Sequence, residues 1–273
     1  MTTSRFKPFA AVIFLLAIPC VSSAPESLDQ ALSKTKPGDG TLWSPLVKGG
    51  VIAQAKENEG KILLTFDDGP DHRTTPVVLD ILDRANVKAV FLVNGYHLSR
   101  EAPDATENRS TLREIFRRGH YIGNHTFIHQ PLDQLPTEAA WEDINHCEQL
   151  ITSVIGRSQR LFRPPFGKLP QEIRDRLDRA GFTVVLWSLD PEDWRIDDPR
   201  VLVSRVMKLI EENPGGGILL LHDTNRIVVE ALSEIIRRIR EVGAMRRRTG
   251  GPPLEIAGAE SFFKARGRAS KEP

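Results

Sequence analysis

The chain is short of several things, and each shortage removes a class of answers. It has only two cysteines in 273 residues, Cys20 and Cys147. If the N-terminal segment carrying Cys20 is removed, a single thiol remains and no internal disulfide is available. Cys147 sits in a stretch of helical period and reads as a small buried hydrophobe, with no neighbouring motif to make it a nucleophile. Charge of one sign is also lacking. Lys and Arg number 37 against 36 Asp and Glu, a net +1, which argues against nucleic acid as a partner. No strand candidate is followed by GxGxxG or GxxxxGK[ST], so nucleotide binding has no support. No repeat of fixed period is present. The Arg246, Arg247 and Arg248 cluster is the local exception in charge, and it reads as a solvated basic end.

Long apolar runs are missing too. The apolar run at residues 9–18 falls well short of the ~20 residues a membrane span needs. Arg5 and Lys7 precede it, and Pro19, Ser22, Ser23 and Ala24 follow it. That order predicts a secretory signal peptide over residues 1–24. The protein is therefore expected to be exported to periplasm, cell wall or medium, with no integral span once the signal is removed. Residues 25–60 carry Pro37, Gly38, Asp39, Gly40, Gly49 and Gly50 and read as a linker with an N-terminal capping segment. Residues 61–258 form the main domain, and 259–273 a basic tail expected to be disordered. With 40% hydrophobic residues, the chain can bury one substantial core.

From residue 61 the pattern is regular. Short runs rich in branched and aromatic residues occupy 61–66, 88–93, 120–123, 160–163, 183–187, 217–221 and 254–257. Segments of helical period lie at 76–85, 111–118, 137–155, 171–180, 200–212 and 226–242. This is an α/β alternation of about seven strands. A doubly wound sheet and a barrel fit it equally.

Polar residues collect just past the carboxyl ends of these strands, the edge where parallel α/β folds build their sites. Asp67 and Asp68 stand side by side before Gly69-Pro70, a costly placement unless a cation or another partner neutralises one, and a turn with an Asp cap is the plainer reading. His125 and His129 are four apart, a spacing that on a helical turn puts both imidazoles on one side and lets them chelate one metal. Either Asp could complete an N,N,O set, suited to zinc and also to cobalt, nickel or iron. Arg163 precedes two prolines that fix the backbone and aim it. The fourth cluster is Asp190-Pro191-Glu192-Asp193-Trp194. The fifth is the apolar strand Leu219-Leu220-Leu221 ending in His222-Asp223. His72, His97, His120 and His146 lack such company and read as structural or surface residues.

Taken in order, TFDDGP (65–70), HTFIH (125–129), RPPFG (163–167), DPEDW (190–194) and LLLHD (219–223) resemble the five motifs of the polysaccharide deacetylases with a NodB-homology domain, carbohydrate esterase family four. The resemblance spans roughly residues 61–257. It implies a distorted (β/α) barrel of about seven parallel strands and a divalent metal, zinc with cobalt or nickel as alternatives. It implies that Asp68, His125 and His129 hold the metal and that Asp67 is the general base, paired with and tuned by Arg163. His222 would be the general acid, its imidazole oriented by Asp190. The Phe166 N–H would stabilise an oxyanion, and Trp194 and Leu220 would wall the pocket for the acetyl methyl. The expected substrate is an N-acetylglucosamine-containing polysaccharide, chitin-like or peptidoglycan. Two other readings remain: an O-acetyl polysaccharide esterase using the same site, and a catalytically silent glycan-binding protein.

Overall fold

Along Lys61–Asp67 (β2) side chains alternate between two buried faces, so the strand is apolar almost throughout. Leu64 and Phe66 pack outward against the helices, while Leu63 packs inward with Val90, Leu92, Leu161, Val185 and Ile218. Burial on both faces is what parallel strands wrapped by helices require. The computed structural model describes residues 50–52 and 60–259. The expected signal peptide, Cys20, most of the linker and the tail from residue 260 lie outside the described residues.

The other strands are β1 (Gly50–Ile52), β3 (Val90–Val93), β4 (Tyr121–Asn124), β5 (Leu161–Phe162), β6 (Thr183–Val185), β7 (Gly216–His222) and β8 (Glu255–Ile256). The helices are α1 (Thr75–Arg84), α2 (Ala105–Arg117), α3 (Thr137–Ile155), α4 (Gln171–Arg179), α5 (Pro199–Glu212) and α6 (Arg226–Thr249). All strand pairs are parallel. They run in the order β1-β6-β5-β4-β3-β2-β7, with β8 added to β2. From β2 to β6 each strand lies beside its successor, which is barrel order and settles the choice that periodicity left open. The curl closes irregularly. The chain leaving β6 reaches β7 through one parallel bridge, Leu189 to Leu219, with the Leu220 N–H donating to the Leu189 carbonyl at 2.9 Å. The result is a distorted barrel with apolar side chains filling its interior.

Three boundaries differ from the sequence expectation. Gly50–Ile52, placed in the linker and capping segment, pairs with β6 as an edge strand. α2 begins at Ala105, not near 111, because Asn108 and Thr111 fill its buried face. The Asn108 side-chain oxygen accepts from the His72 N–H at 2.9 Å, a use of a polar residue that hydrophobic periodicity cannot register. α6 runs on past residue 242 to Thr249, where Gly250 ends it in the left-handed region. No helix among the described residues is long and apolar enough to cross a membrane.

Two glycines test how closely β2 and β7 approach. Gly156 caps α3 with φ 77° and open space around it, whereas Gly216 has φ 83° and a Cβ there would lie 2.2 Å from the Lys61 carbonyl oxygen. Gly156→Ala should cost about 1–2 kcal/mol, the backbone strain alone. Gly216→Ala should cost more, since a backbone atom must also move. Urea unfolding midpoints of the two variants check the order, and equal losses would contradict the close approach.

Candidate active site

The alternation of β2 carries Asp67 to the inner face at the mouth of the barrel, two positions beyond Thr65. Arg163, two residues past Leu161, reaches the same place from β5. Its Nη1 donates to Asp67 Oδ1 at 2.6 Å and to Thr65 Oγ1 at 2.9 Å. Its Nε and Nη2 donate to the carbonyls of Val185 and Leu186 at 2.7 and 3.1 Å. The guanidinium is fully buried and Asp67 nearly so. Burial pushes the Asp67 carboxyl above the ordinary carboxylate range, while the charge and hydrogen bond of Arg163, and the nearby His222, pull it back. The outcome is a carboxylate more basic than a solvated one and fixed in direction.

Asp68 turns the other way, at φ 71°. Its Oδ1 lies 3.6 Å from His125 Nε2 and 3.3 Å from His129 Nε2. The three residues offer ligand atoms all within 4.8 Å of one another. Two features fit this set to a divalent ion. Asp68 Oδ1 is shielded from solvent and has no hydrogen-bond partner. His125 donates its Nδ1–H to the Arg163 carbonyl at 2.7 Å, which leaves the Nε2 lone pair facing Asp68. Burial, partly offset by Asp68, holds the His125 pKa down to about 3, so its imidazole is neutral and able to ligate.

The expected helical turn for His125 and His129 is not what brings them together. They sit in an irregular loop after β4, with Thr126 at φ 65° and His129 at φ 56°, and their ring centres are 4.9 Å apart. Polar anchors replace helical hydrogen bonds. The Thr126 N–H donates to Asn124 Oδ1 and the Phe127 N–H to Asp143 Oδ2. Asn124 is itself held by buried Glu148, through an Nδ2–Oε2 bond of 3.0 Å.

His222 ends β7 opposite Asp67 in register. Its imidazole partner is Asp193 and not Asp190, which corrects the expectation from the motif. The His222 Nδ1–H donates to Asp193 Oδ1 at 2.7 Å and the His222 N–H to Asp193 Oδ2 at 2.9 Å. Glu192, at φ 51°, turns the chain so that Asp193 points inward and is buried. Asp190 accepts from the Glu192 N–H at 2.8 Å, closing the same turn, and its charge is felt by Arg163. The segment offers three carboxylates, Asp190, Glu192 and Asp193, and nothing in its pattern tells which will turn inward. Burial alone would lower the His222 pKa. The Asp193 bond and charge, helped by Asp67 and Asp68, overcome this and raise it to about 9. His222 Nε2 lies 3.8 Å from Asp68 Oδ2, facing the same space as the metal-ligand set.

Leu220 is buried yet belongs to none of the three packed core clusters. It points inward below His222. Trp194 and Phe166 are exposed at the mouth, and the Phe166 ring lies 4.9 Å from that of His129. Phe166 has φ 58°. The hydrogen bonds of its turn come from the Gly167 and Lys168 N–H groups, leaving the Phe166 N–H outside them. Asp223 was not singled out in the sequence. It is fully buried, accepts from the Thr75 hydroxyl and lies against Gly69, bracing the turn that carries the two aspartates.

Comparison with known proteins places this geometry in context. Residues 54–185 match the sequence profile described as polysaccharide deacetylase. The peptidoglycan-N-acetylmuramic acid deacetylase PdaC of Bacillus subtilis is 33% identical over 221 residues, covering 79% of this chain and 44% of that protein. This chain thus spans under half the length of that relative. A peptidoglycan-N-acetylglucosamine deacetylase of Bacillus cereus is 32% identical over 200 residues, covering 71% of this chain and 89% of that protein. The solved structure of B. subtilis PdaC superposes with a TM-score of 0.62 at 29% identity, covering 77% of this chain and 93% of that one.

The His222–Asp193 contact yields a pH prediction. In the metal-free protein the imidazole should stay protonated until about pH 9. In Asp193→Asn, with the acceptor kept and the charge lost, it should titrate lower, toward the ordinary imidazole range. Imidazole NMR titration, with His222→Gln to assign the signal, checks this. An unchanged midpoint would contradict it.

Proposed function

The chain belongs to the polysaccharide deacetylase family, and from that premise we propose that it hydrolyses the N-acetyl groups of an N-acetylglucosamine-containing polysaccharide, chitin-like or peptidoglycan. The observation that carries the reading is the pairing of unlike groups across one small space. A buried carboxylate held by Arg163 lies on one side, and an imidazolium held by Asp193 on the other. Pure binding has no use for a separate base and acid with their pKa values set by different partners.

The residues divide the work as follows. Asp67 takes the proton of the attacking water, and Arg163 keeps it ionised and aimed. His222, its Nδ1–H held by Asp193, presents Nε2 to the leaving amine and protonates it, since an unprotonated amine leaves poorly. The Phe166 N–H donates to the carbonyl oxygen as charge develops on it. Leu220 and Trp194 receive the acetyl methyl. Asp68, His125 and His129 would hold a divalent ion, zinc by their donor set, which when bound polarises the carbonyl and lowers the pKa of water by several units. Asp190 supports the charge of Arg163 and the turn that delivers Asp193.

The peptidoglycan deacetylase activities of the relatives and the predicted signal peptide support export and action on cell-wall glycan. Acetate release from N-acetylglucosamine oligomers, peptidoglycan and acetylated xylan tests the reading. Release from the N-acetylated substrates should fall to background with chelator and return with zinc or cobalt. Release from acetylated xylan alone would mean an O-acetyl esterase. Tight glycan binding with no acetate from any of them would mean a silent binding protein.

A further inference from the structure

Between His125 and His129 lie Thr126, Phe127 and Ile128, and one carboxylate on α3 takes a hydrogen bond from each of the three. Asp143 Oδ2 accepts the Phe127 N–H at 3.1 Å, and the same carboxylate accepts from the Ile128 N–H and the Thr126 hydroxyl. The Thr126 oxygen in turn accepts the His129 N–H at 3.2 Å. A continuous path of hydrogen bonds therefore runs from the backbone of His129 through Thr126 to Asp143. Asp143 is half-buried, and it has no part in the division of work set out above.

Other elements hold the rest of the loop's backbone. The His125 N–H donates to the Val93 carbonyl at 2.9 Å, its Nδ1–H to the Arg163 carbonyl at 2.7 Å, and the Thr126 N–H to Asn124 Oδ1 at 2.9 Å. The Thr126 and Phe127 carbonyls accept the N–H groups of Gly95 and Tyr96 at 2.9 and 3.0 Å. The ends of β3 and β5 thus fix His125. His129 lies further out in the irregular loop, its backbone held through Thr126 and its imidazole against the Phe166 ring. Both Thr126 and His129 stand in the left-handed region, which a β-branched or bulky residue keeps only where its surroundings over-determine it. The Asp143 carboxylate supplies that constraint from below the loop. Ligands held ready in this way spare a metal the cost of ordering them.

We propose that Asp143 is a positioning residue for the metal: it sets the backbone at His129, and through it the shape of the Asp68, His125 and His129 set, without being a ligand itself. The inference rests on the metal-holding role given to those three residues in the deacetylase reading above. It makes α3, which carries none of the three, a determinant of metal affinity.

The test is the zinc dissociation constant of the full chain, by competition with a chromophoric chelator, for wild type, Asp143→Ala, Asp143→Asn and Glu142→Ala, with near-UV circular dichroism of each. Asp143→Ala should bind zinc about tenfold more weakly or worse, as groups that orient metal ligands do when removed. Asp143→Asn, which keeps one accepting oxygen and gives up the other, should fall between it and wild type. Glu142→Ala, at the exposed neighbour on α3, should bind as wild type does. An unchanged constant in Asp143→Ala, or an equal loss in Glu142→Ala, would overturn the proposal. Should Asp143→Ala lose the native dichroism, Asp143→Asn decides: weaker zinc binding supports the proposal, and wild-type binding overturns it. Wild type that binds no zinc would overturn it outright. Acetate release, measured alongside, separates the two readings. No acetate from wild type, with zinc affinity still dependent on Asp143, would end the deacetylase reading and leave this inference standing. Acetate release with zinc affinity indifferent to Asp143 would end this inference alone.

Discussion

Everything at the mouth of the barrel depends on one buried ion pair, Arg163 with Asp67. An isolated charge in the interior costs several kcal/mol, so a fully buried guanidinium persists only where its donors are matched. Arg163 meets that condition by binding β2 through Asp67 and Thr65, and the chain at the end of β6 through the Val185 and Leu186 carbonyls. Three strand ends are thereby fixed relative to one another. The same residue's carbonyl accepts the Nδ1–H of His125. One position in the chain thus aims the carboxylate proposed as the base with its side chain, and one of the imidazoles proposed to hold the metal with its backbone. The two prolines that follow keep that carbonyl in place.

The site is a meeting of two arrangements that solve the same problem with opposite charge. Asp67 is a buried anion steadied by a cation, and His222 is a cation steadied by the buried anion Asp193. The Asp193 pairing shifts the His222 imidazole upward, toward holding its proton, whereas Arg163 pulls the Asp67 carboxyl down against the burial that raises it. Between them stands Asp68, whose unpartnered oxygen faces two imidazole nitrogens. In the proposed roles, Asp67 as proton acceptor, His222 as proton donor and the Asp68 set as cation holder form the combination that amide hydrolysis needs.

Much of this was legible in the sequence, because strand parity and strand ends are one-dimensional facts. The alternation in 61–67 puts Thr65 and Asp67 on one face, and the position of each polar cluster after an apolar run puts it at the mouth. What escaped was decided by turns. His125 and His129 meet through left-handed residues and buried polar anchors, not through helical spacing. Asp193 displaced Asp190 because the backbone at Glu192 turns over. The early start of α2 depends on a buried asparagine, and β1 is three residues long and borrows its order from β6. His72 for Asn108, Asp143 for Phe127, His222 for Asp193 and β6 for β1 are partners far along the chain, where a reading of local pattern has no access to them.

The most direct test of the account is a double-mutant cycle on the ion pair, read by urea unfolding of Arg163→Met, Asp67→Asn and the double variant. Breaking a buried pair by removing one partner costs about 3–5 kcal/mol, much of it from the charge left unpaired. The account predicts that the double variant loses clearly less than the two single losses added together, with a coupling of about 2 kcal/mol or more. Additive losses would mean that Arg163 and Asp67 act independently, and would contradict the claim that their pairing fixes the strand ends and the base together.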